Sequence, residues 1–316
     1  MFVFEDKSNE HSPQTFSFAR HLRGIWDEIH VKTEVFRYKV DNLKQKIEGP
    51  YVLQYNPYRN AKRRPPEEIK DVCQGFDKNK FNFCKATPEE VIIQFWRENK
   101  TDDVHKVLVN VSPINHYHSL LCPSVNKMLP QMVTPESLQL ILDLYAMAGD
   151  RDLRIGFNSL CAMASVNHLH YHLFFVSQNL PVEAVKCKNI KGPIWVTQNY
   201  PIPGFCFEIS TSAMEMYKVI DYFLKKSIAH NIMVTRGRCF ESDLDTARVL
   251  IWPRKSSSGA KQLTEMNAGV CELSGWFPIH SNEDYENIDI KSLETELCKW
   301  KLEDFDQLCQ DIKLLF

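Results

Sequence analysis

Apolar residues recur at three- and four-residue spacings from Phe16 to Phe36, with charges between them, and that period predicts an amphipathic helix. A second helix is announced by Thr134-Pro135-Glu136: a capping threonine, a proline at the first helical position and an acid in the first turn. Its apolar face runs through Ala148, and Gly149-Asp150 stops it. Between these helices the apolar residues come in short runs, Val91–Trp96, Val107–Val111 and Ser119–Cys122, bounded by Asn, Asp, Ser and Pro, which predict strands. Ile155–Ser159 and Leu169–Val176 read the same way. The C-terminal part repeats the mixture, with a helix over about 212–229, strands at Asn231–Thr235 and Arg248–Trp252, and a helical pattern from Ile290 onward. The first dozen residues are polar and expected to fray, while Gln54 to Lys70, holding Asn, Pro and Ala61-Lys62-Arg63-Arg64-Pro65-Pro66, is expected to be a loop or extended arm. The class is α+β. No short tandem repeat occurs, but two parts of similar size, each pairing a helix with short strands, suit a duplicated sheet domain.

The composition narrows the functions open to such a fold. The chain has 316 residues, 44% of them hydrophobic, enough for one large domain or two closely packed halves. Its 38 Lys and Arg nearly balance 40 Asp and Glu, so no global field draws in nucleic acid or an anionic membrane. An anionic ligand would have to meet a local site. The longest apolar stretches, such as Leu169–Val176, fall far short of the roughly 20 residues of a membrane span, and the N-terminus carries acids without an apolar signal region. A cytoplasmic protein is expected. The ten cysteines sit singly, with no C-x-x-C pair, as small buried hydrophobes in a reducing compartment do.

One run carries chemistry: Asn167-His168-Leu169-His170-Tyr171-His172. Side chains alternate across a strand, so the three imidazoles share one face and Leu169 and Tyr171 the other. Neutral imidazoles ligate zinc and related ions, although a full site needs one more ligand or a water. The competing reading is covalent catalysis, in which one imidazole attacks an activated phosphorus while its neighbours orient it and handle protons. Asn167, Ser165 and Asn158 lie just upstream as hydrogen-bond donors to phosphate oxygens, which a bare metal site would not require.

His168-x-His170-x-His172 followed by Leu173-Phe174-Phe175 resembles the signature of the histidine triad superfamily. Other stretches resemble the animal GDP-D-glucose phosphorylases and the related plant GDP-L-galactose phosphorylases. These are Lys62-Arg63-Arg64-Pro65-Pro66, Phe76-Asp77 with Lys80-Phe81-Asn82-Phe83, Asn110-Val111-Ser112-Pro113 with His118, Arg154 to Leu160, and Ala164 to His170. The likeness continues through Ala229-His230-Asn231, Val234-Thr235-Arg236-Gly237 and Trp252-Pro253-Arg254-Lys255-Ser256-Ser257, and spans about Phe36 to Pro278. It implies a histidine-triad-like antiparallel sheet with packed helices. It also implies an organisation of N-terminal helical region (1–35), catalytic half (36–200) and catalytically silent second half (201–316).

The implied reaction has two displacements. His170 attacks the α-phosphorus of GDP-glucose and expels glucose 1-phosphate, leaving GMP bonded to the ring nitrogen; inorganic phosphate then attacks the same phosphorus and releases GDP. The resemblance gives His168 the bracing of the nucleophile, His172 a contact to phosphate oxygens or a shared proton, and Ser165 a phosphate contact. Asn158 falls near the ribose and phosphate only approximately, and His118 precedes the apolar strand either as a structural or as a catalytic histidine. Arg63 and Arg64, with Arg236, Arg254 and Lys255 from the other half, are candidates to clamp phosphates. No cofactor, metal, nucleic acid or membrane is expected as partner. His172 departs from the glutamine that the plant enzymes and the galactose-1-phosphate uridylyltransferases hold at the third position. A nucleotide-sugar or dinucleotide hydrolase using the same histidine, or a non-catalytic nucleotide-binding regulator, therefore stays open.

Overall fold

Leu169, Tyr171, Leu173 and Phe175 belong to one hydrophobic core and Phe174 to another, so the alternation around the histidines sorts side chains onto the two faces of a single strand. The computed structural model describes residues 2–5, 17–62, 67–257 and 268–316. Its strands are β1 (Phe2–Phe4), β2 (Gln45–Glu48), β3 (Tyr51–Tyr55), β4 (Val91–Arg97), β5 (Lys100–Val109), β6 (Ser119–Cys122), β7 (Leu153–Asn158) and β8 (Tyr171–Phe175). They continue with β9 (Cys187–Lys191), β10 (Ile194–Thr197), β11 (Phe205–Glu208), β12 (His230–Arg238), β13 (Asp245–Pro253) and β14 (Trp276–Ile279). The helices are α1 (Phe18–Lys32), α2 (Pro57–Lys62), α3 (Pro135–Ala148), α4 (Pro181–Ala184) and α5 (Ala213–Lys225). After them come α6 (Val270–Leu273), α7 (Asn282–Asn287), α8 (Ile290–Lys299) and α9 (Phe305–Lys313).

Eleven strands form one antiparallel sheet in the order β1-β4-β5-β6-β8-β7-β12-β13-β11-β10-β9. Read outward from the β7–β12 pair, strands β7-β8-β6-β5-β4 and β12-β13-β11-β10-β9 follow the same sequence order. α3 and α5 occupy matching places, each leading into the central strand of its half. One face of the sheet is covered by α1, α3, α5 and α9, whose Leu22, Trp26, Leu144, Phe223 and Ile312 join the first core. The other face packs against a small sheet, β14-β3-β2, with α6 and α8 behind it. Parallel pairing of β3 with β14 closes this layer across more than 200 residues of sequence.

Local chemistry sets the boundaries. α3 begins where predicted, with Thr134 accepting from the Ser137 N–H at 3.1 Å, and ends on Gly149 at a positive φ of 61°. α1 stops four residues short of Phe36, because Thr33 turns extended and its N–H and hydroxyl both bond the Ile29 carbonyl. Two expectations are corrected. Residues 2–4 are a strand, since Phe2 and Phe4 pack on Phe95 and their backbone pairs with β4. The region from Gln54 to Lys70 is not all loop: Gln54 and Tyr55 end β3, and Pro57 at a first helical position, with Asn56 accepting the Arg59 N–H, opens α2.

A buried ion cluster ties the two central strands to α4. Arg154 has 0% exposure, and its Nε and NH2 meet Glu183 at 2.7 and 2.6 Å; Thr235 and Arg236 donate to the same carboxylate at 2.8 and 3.0 Å. Removing the charge of Glu183 leaves a fully buried guanidinium uncompensated. Glu183→Gln is expected to lower unfolding free energy by about 3–5 kcal/mol in urea titrations. A loss below about 1 kcal/mol would mean that water or Asp152 takes over the pairing.

Candidate active site

His170 lies in the extended lead-in to β8 and His172 on the strand, with ring centroids 5.3 Å apart. Hydrogen bonds fix which nitrogen of each ring carries the proton. His170 Nδ1 sits 2.7 Å from the His168 carbonyl, which can only accept, so Nδ1 holds the proton and Nε2 keeps its lone pair. His118 is fully buried, and burial pushes its pKa well below the ordinary value, so it is neutral. Its Nδ1 accepts from the Ile114 N–H at 2.9 Å; the proton is therefore on Nε2, which donates to His172 Nδ1 at 3.0 Å. The Asn110 amide nitrogen is the second polar group beside that nitrogen, at 3.2 Å. His172 consequently carries its proton on Nε2.

His168 is not part of that relay. Its Nδ1 accepts the Phe83 N–H at 3.0 Å, and burial lowers its pKa to about 4 against a smaller opposing effect of the Val125 carbonyl. Phe83 stands 4.9 Å from the His170 ring and 5.7 Å from that of His168, and Phe76 stands 5.2 Å from His168. These aromatic side chains pack directly against the histidine rings. The imidazoles do not converge on a point, and among the described residues no group of three His, Cys, Asp or Glu is placed to hold a metal ion.

The predicted polar residues divide into those near the cleft and those spent elsewhere. Ser165 is half-buried, and its hydroxyl makes no hydrogen bond among the described residues. Asn158 is buried and clamps structure, accepting from Asn231 at 2.6 Å and from the Val270 N–H at 2.9 Å. Asn167 is used on both sides: it accepts from the Gln131 N–H and donates to the carbonyls of Gln74 and Gly75. Asn158 is engaged through its oxygen, while its amide nitrogen makes no hydrogen bond among the described residues. Arg236 is engaged by Glu183, Asp152, Asn179 and three backbone carbonyls, and Lys255 pairs with Glu303 at the surface. Arg254 is buried, bonds the Ala268 carbonyl and lies 4.0 Å over the Trp300 ring, and burial lowers its pKa to about 9. Arg63 and Arg64 fall outside the described residues.

Three neighbours escaped the sequence reading. Gln131 accepts the His170 N–H at 2.8 Å while its amide donates at 3.0 Å to the carbonyls of Asn158 and His170, which locks the backbone of His170 to β7. Arg59, on α2, bonds the Ser112 carbonyl and places its charge where it disfavours protonation of His118. Phe83 supplies both a ring and a backbone N–H. Gln131 and Arg59 sit in no periodic or motif context in the sequence, and Phe83 lies in the Lys80-Phe81-Asn82-Phe83 stretch of the resemblance without a role assigned to it there; the tertiary geometry brings all three to the histidines.

A large antiparallel sheet with a His-x-His-x-His run entering a central strand makes this a histidine-triad-like protein. Residues 17–174 match the family described as GDPGP1-like, N-terminal domain, and residues 176–315 its C-terminal counterpart. The chain belongs to this GDPGP1-like family. It is 33% identical over 296 residues to GDP-D-glucose phosphorylase 1 of Danio rerio, covering 89% of this chain and 85% of that protein. It is 34% identical to the Homo sapiens protein of the same name, covering 86% and 76%, and 30% identical to GDP-L-galactose phosphorylase 2 of Arabidopsis thaliana, covering 89% and 72%. In structure it resembles yeast Ap4A phosphorylase Apa2 in complex with Ap4A, with a TM-score of 0.62 at 14% identity over 91% of this chain and all of that one. At that identity the likeness bears on the fold.

Proposed function

We propose that the protein catalyses phosphorolysis of a GDP-hexose, with GDP-D-glucose and inorganic phosphate as substrates and GDP and glucose 1-phosphate as products. The names of its relatives support the substrate class. The observation that carries the mechanism is the 2.7 Å bond from His170 Nδ1 to the His168 carbonyl. It keeps the proton on Nδ1 and leaves Nε2 as the nucleophilic nitrogen. When Nε2 bonds the α-phosphorus, the bond from that phosphorus to the bridging oxygen breaks and the hexose 1-phosphate leaves as a stable anion. Positive charge grows on the ring, and the Nδ1–H···O=C bond strengthens with it, a stabilisation larger in the transition state than before it.

Phosphate then attacks the same phosphorus in line, GDP forms, and the electron pair returns to Nε2. His172, its proton held on Nε2 by His118, donates to the phosphoryl oxygens in both steps. Ser165 is the hydroxyl the resemblance names for the same task, and the half-buried Phe76 is a candidate to meet the base. The matching strand order supports a reading in which the N-terminal half carries the chemistry and the C-terminal half, without such histidines, completes the sheet. No helix among the described residues is long and apolar enough to cross a membrane. The ten cysteines are all free thiols, which supports a reducing compartment, the cytoplasm in this reading.

Incubation with GDP-glucose, with and without phosphate, tests the reading. Phosphate-dependent release of GDP and glucose 1-phosphate is the expected result. GMP formed without need of phosphate would make the protein a hydrolase, and no turnover at all would leave a nucleotide-binding protein.

A further inference from the structure

Asn115, His116, Tyr117 and His118 form a tight turn, closed by the His118 N–H on the Asn115 carbonyl at 3.3 Å. Its third residue, Tyr117, holds φ at 65°, in the left-handed region where such turns ordinarily place glycine or asparagine. A tyrosine strains the backbone there, and strain of this kind persists only where the surroundings hold it. The residue that follows is His118, whose ring fixes the proton of His172. Whatever grips the turn therefore bears on the histidine site.

The grip comes from α1. Asp27 receives both central side chains of the turn: His116 Nε2 lies 2.9 Å from its Oδ1, and the Tyr117 hydroxyl donates to its Oδ2 at 3.2 Å. Trp26 packs on the same two rings, with centroids 4.4 and 5.5 Å away. Ring packing tolerates small rotations, whereas two hydrogen bonds to one carboxylate are directional. On the other side the Asn115 amide donates to the Phe175 carbonyl at 2.8 Å, so the turn is pinned between α1 and the end of β8, the strand that carries His172.

We propose that Asp27 is a positioning residue for the reaction: by holding His116 and Tyr117 it keeps the turn at the angle that puts the His118 Nε2–H on His172 Nδ1. The proposal rests on the phosphoryl contact given to His172 above. The backbone around the turn sets His118 at three points, its N–H on Asn115, its Nδ1 accepting the Ile114 N–H at 2.9 Å, and its carbonyl accepting the Asn110 N–H at 3.1 Å. Without the carboxylate the turn relaxes, the 3.0 Å bond from His118 weakens, and His172 is free to carry its proton on Nδ1 and present a bare nitrogen to the phosphoryl oxygens. The loss falls on the chemical steps, where charge develops on those oxygens, more than on nucleotide binding.

The test compares Asp27→Ala and Tyr117→Phe with Ser17→Ala. Alanine favours a helix, so Asp27→Ala leaves α1 itself in place. Ser17→Ala removes the α1 cap, which accepts the Arg20 N–H at 3.4 Å, and loosens the helix without touching the turn. Asp27→Ala is expected to lower kcat for GDP-glucose phosphorolysis about five- to tenfold with KM within about twofold, and Tyr117→Phe to lower it about two- to threefold. The double variant should be no slower than Asp27→Ala, because both act through one contact. Ser17→Ala should melt earlier yet keep kcat within about twofold of the wild type. In protein labelled with 15N-histidine, the ring nitrogens of His118 and His172, one protonated and one bare in each, should move toward tautomer-averaged shifts in Asp27→Ala and partway in Tyr117→Phe, but not in Ser17→Ala. Unchanged nitrogen shifts in Asp27→Ala, or a Ser17→Ala effect on kcat as large as that of Asp27→Ala, overturns the proposal. Tyr117→Phe keeps its ring and packing and decides the matter by the same shifts if Asp27→Ala does not fold. A wild type without phosphorolysis would sink the phosphorylase reading instead, and the nitrogen shifts, which need no turnover, would still report whether Asp27 sets the His118–His172 bond.

Discussion

His170→Asn is expected to lower kcat/KM for GDP-glucose phosphorolysis by about 10⁴-fold or more while leaving the fold in place. Asparagine is the informative replacement because its amide nitrogen falls near the position of Nδ1 and can still donate to the His168 carbonyl, 2.7 Å away in the native protein. The Gln131 clamp on the backbone of residue 170 is untouched, since it uses the main-chain N–H and carbonyl. What disappears is Nε2 alone. With GDP-glucose labelled in the guanosine part and phosphate withheld, wild-type protein denatured in alkali, which spares the phosphorus–nitrogen bond, should retain label on the chain and the variant none. A variant that turns over at more than a hundredth of the wild-type rate would remove His170 from the nucleophile's role and return attention to His172, whose Nε2 is protonated and cannot attack without losing that proton.

The histidine run was legible because a strand's period of two is written directly into His168-Leu169-His170-Tyr171-His172, and the structure places Leu169 and Tyr171 in the core on the opposite face. The central strands and α3 were legible for the same kind of reason: each carries its own period and its own caps. What was not legible comes from distant partners. β2, β3 and β14 are short, and two of them pair in parallel over a separation of more than 200 residues, so no local pattern names them. The basic candidates were chosen by charge and by the resemblance, and three of them have partners of their own: Arg236 in an ion cluster, Arg254 on a tryptophan face, and Lys255 at a surface acid. Gln131 illustrates the converse. An isolated glutamine between Pro130 and Met132 carries no signal, yet it makes three bonds that tie the backbone of His170 to that of Asn158.

Acid should unfold this protein earlier than its carboxylates alone would. His168, His105 and His230 are 0%, 5% and 0% exposed, and burial lowers the pKa of each to about 4. His118 moves in the same direction. A histidine in the unfolded chain titrates near 6.5. Above that pH both states are neutral at these positions and stability is unaffected. As pH falls below about 6.5 the unfolded chain takes up protons that the folded protein refuses, so stability drops continuously until the folded groups protonate near 4. At 1.36 kcal/mol per pH unit, each of the three contributes a loss of about 2 kcal/mol at pH 5, roughly 4–6 kcal/mol together, a large part of the stability of a typical domain. The structural reason is visible at each ring: His168 and His105 accept backbone N–H groups through Nδ1, from Phe83 and Ser124 at 3.0 Å, and protonation would set donor against donor. His230 donates to the Ile228 carbonyl through Nδ1 and has its Nε2 buried with no hydrogen-bond partner among the described residues, beside the rings of Phe157 and Phe223. Urea titrations at pH 7.5 and pH 5 measure the loss, and His230→Asn, which keeps the donor to Ile228, should reduce the pH slope by up to one proton. A stability change below about 1 kcal/mol between the two pH values would mean that the native protein admits protons to these rings, and the neutral tautomers assigned to the His118–His172 pair would have to be reconsidered with them.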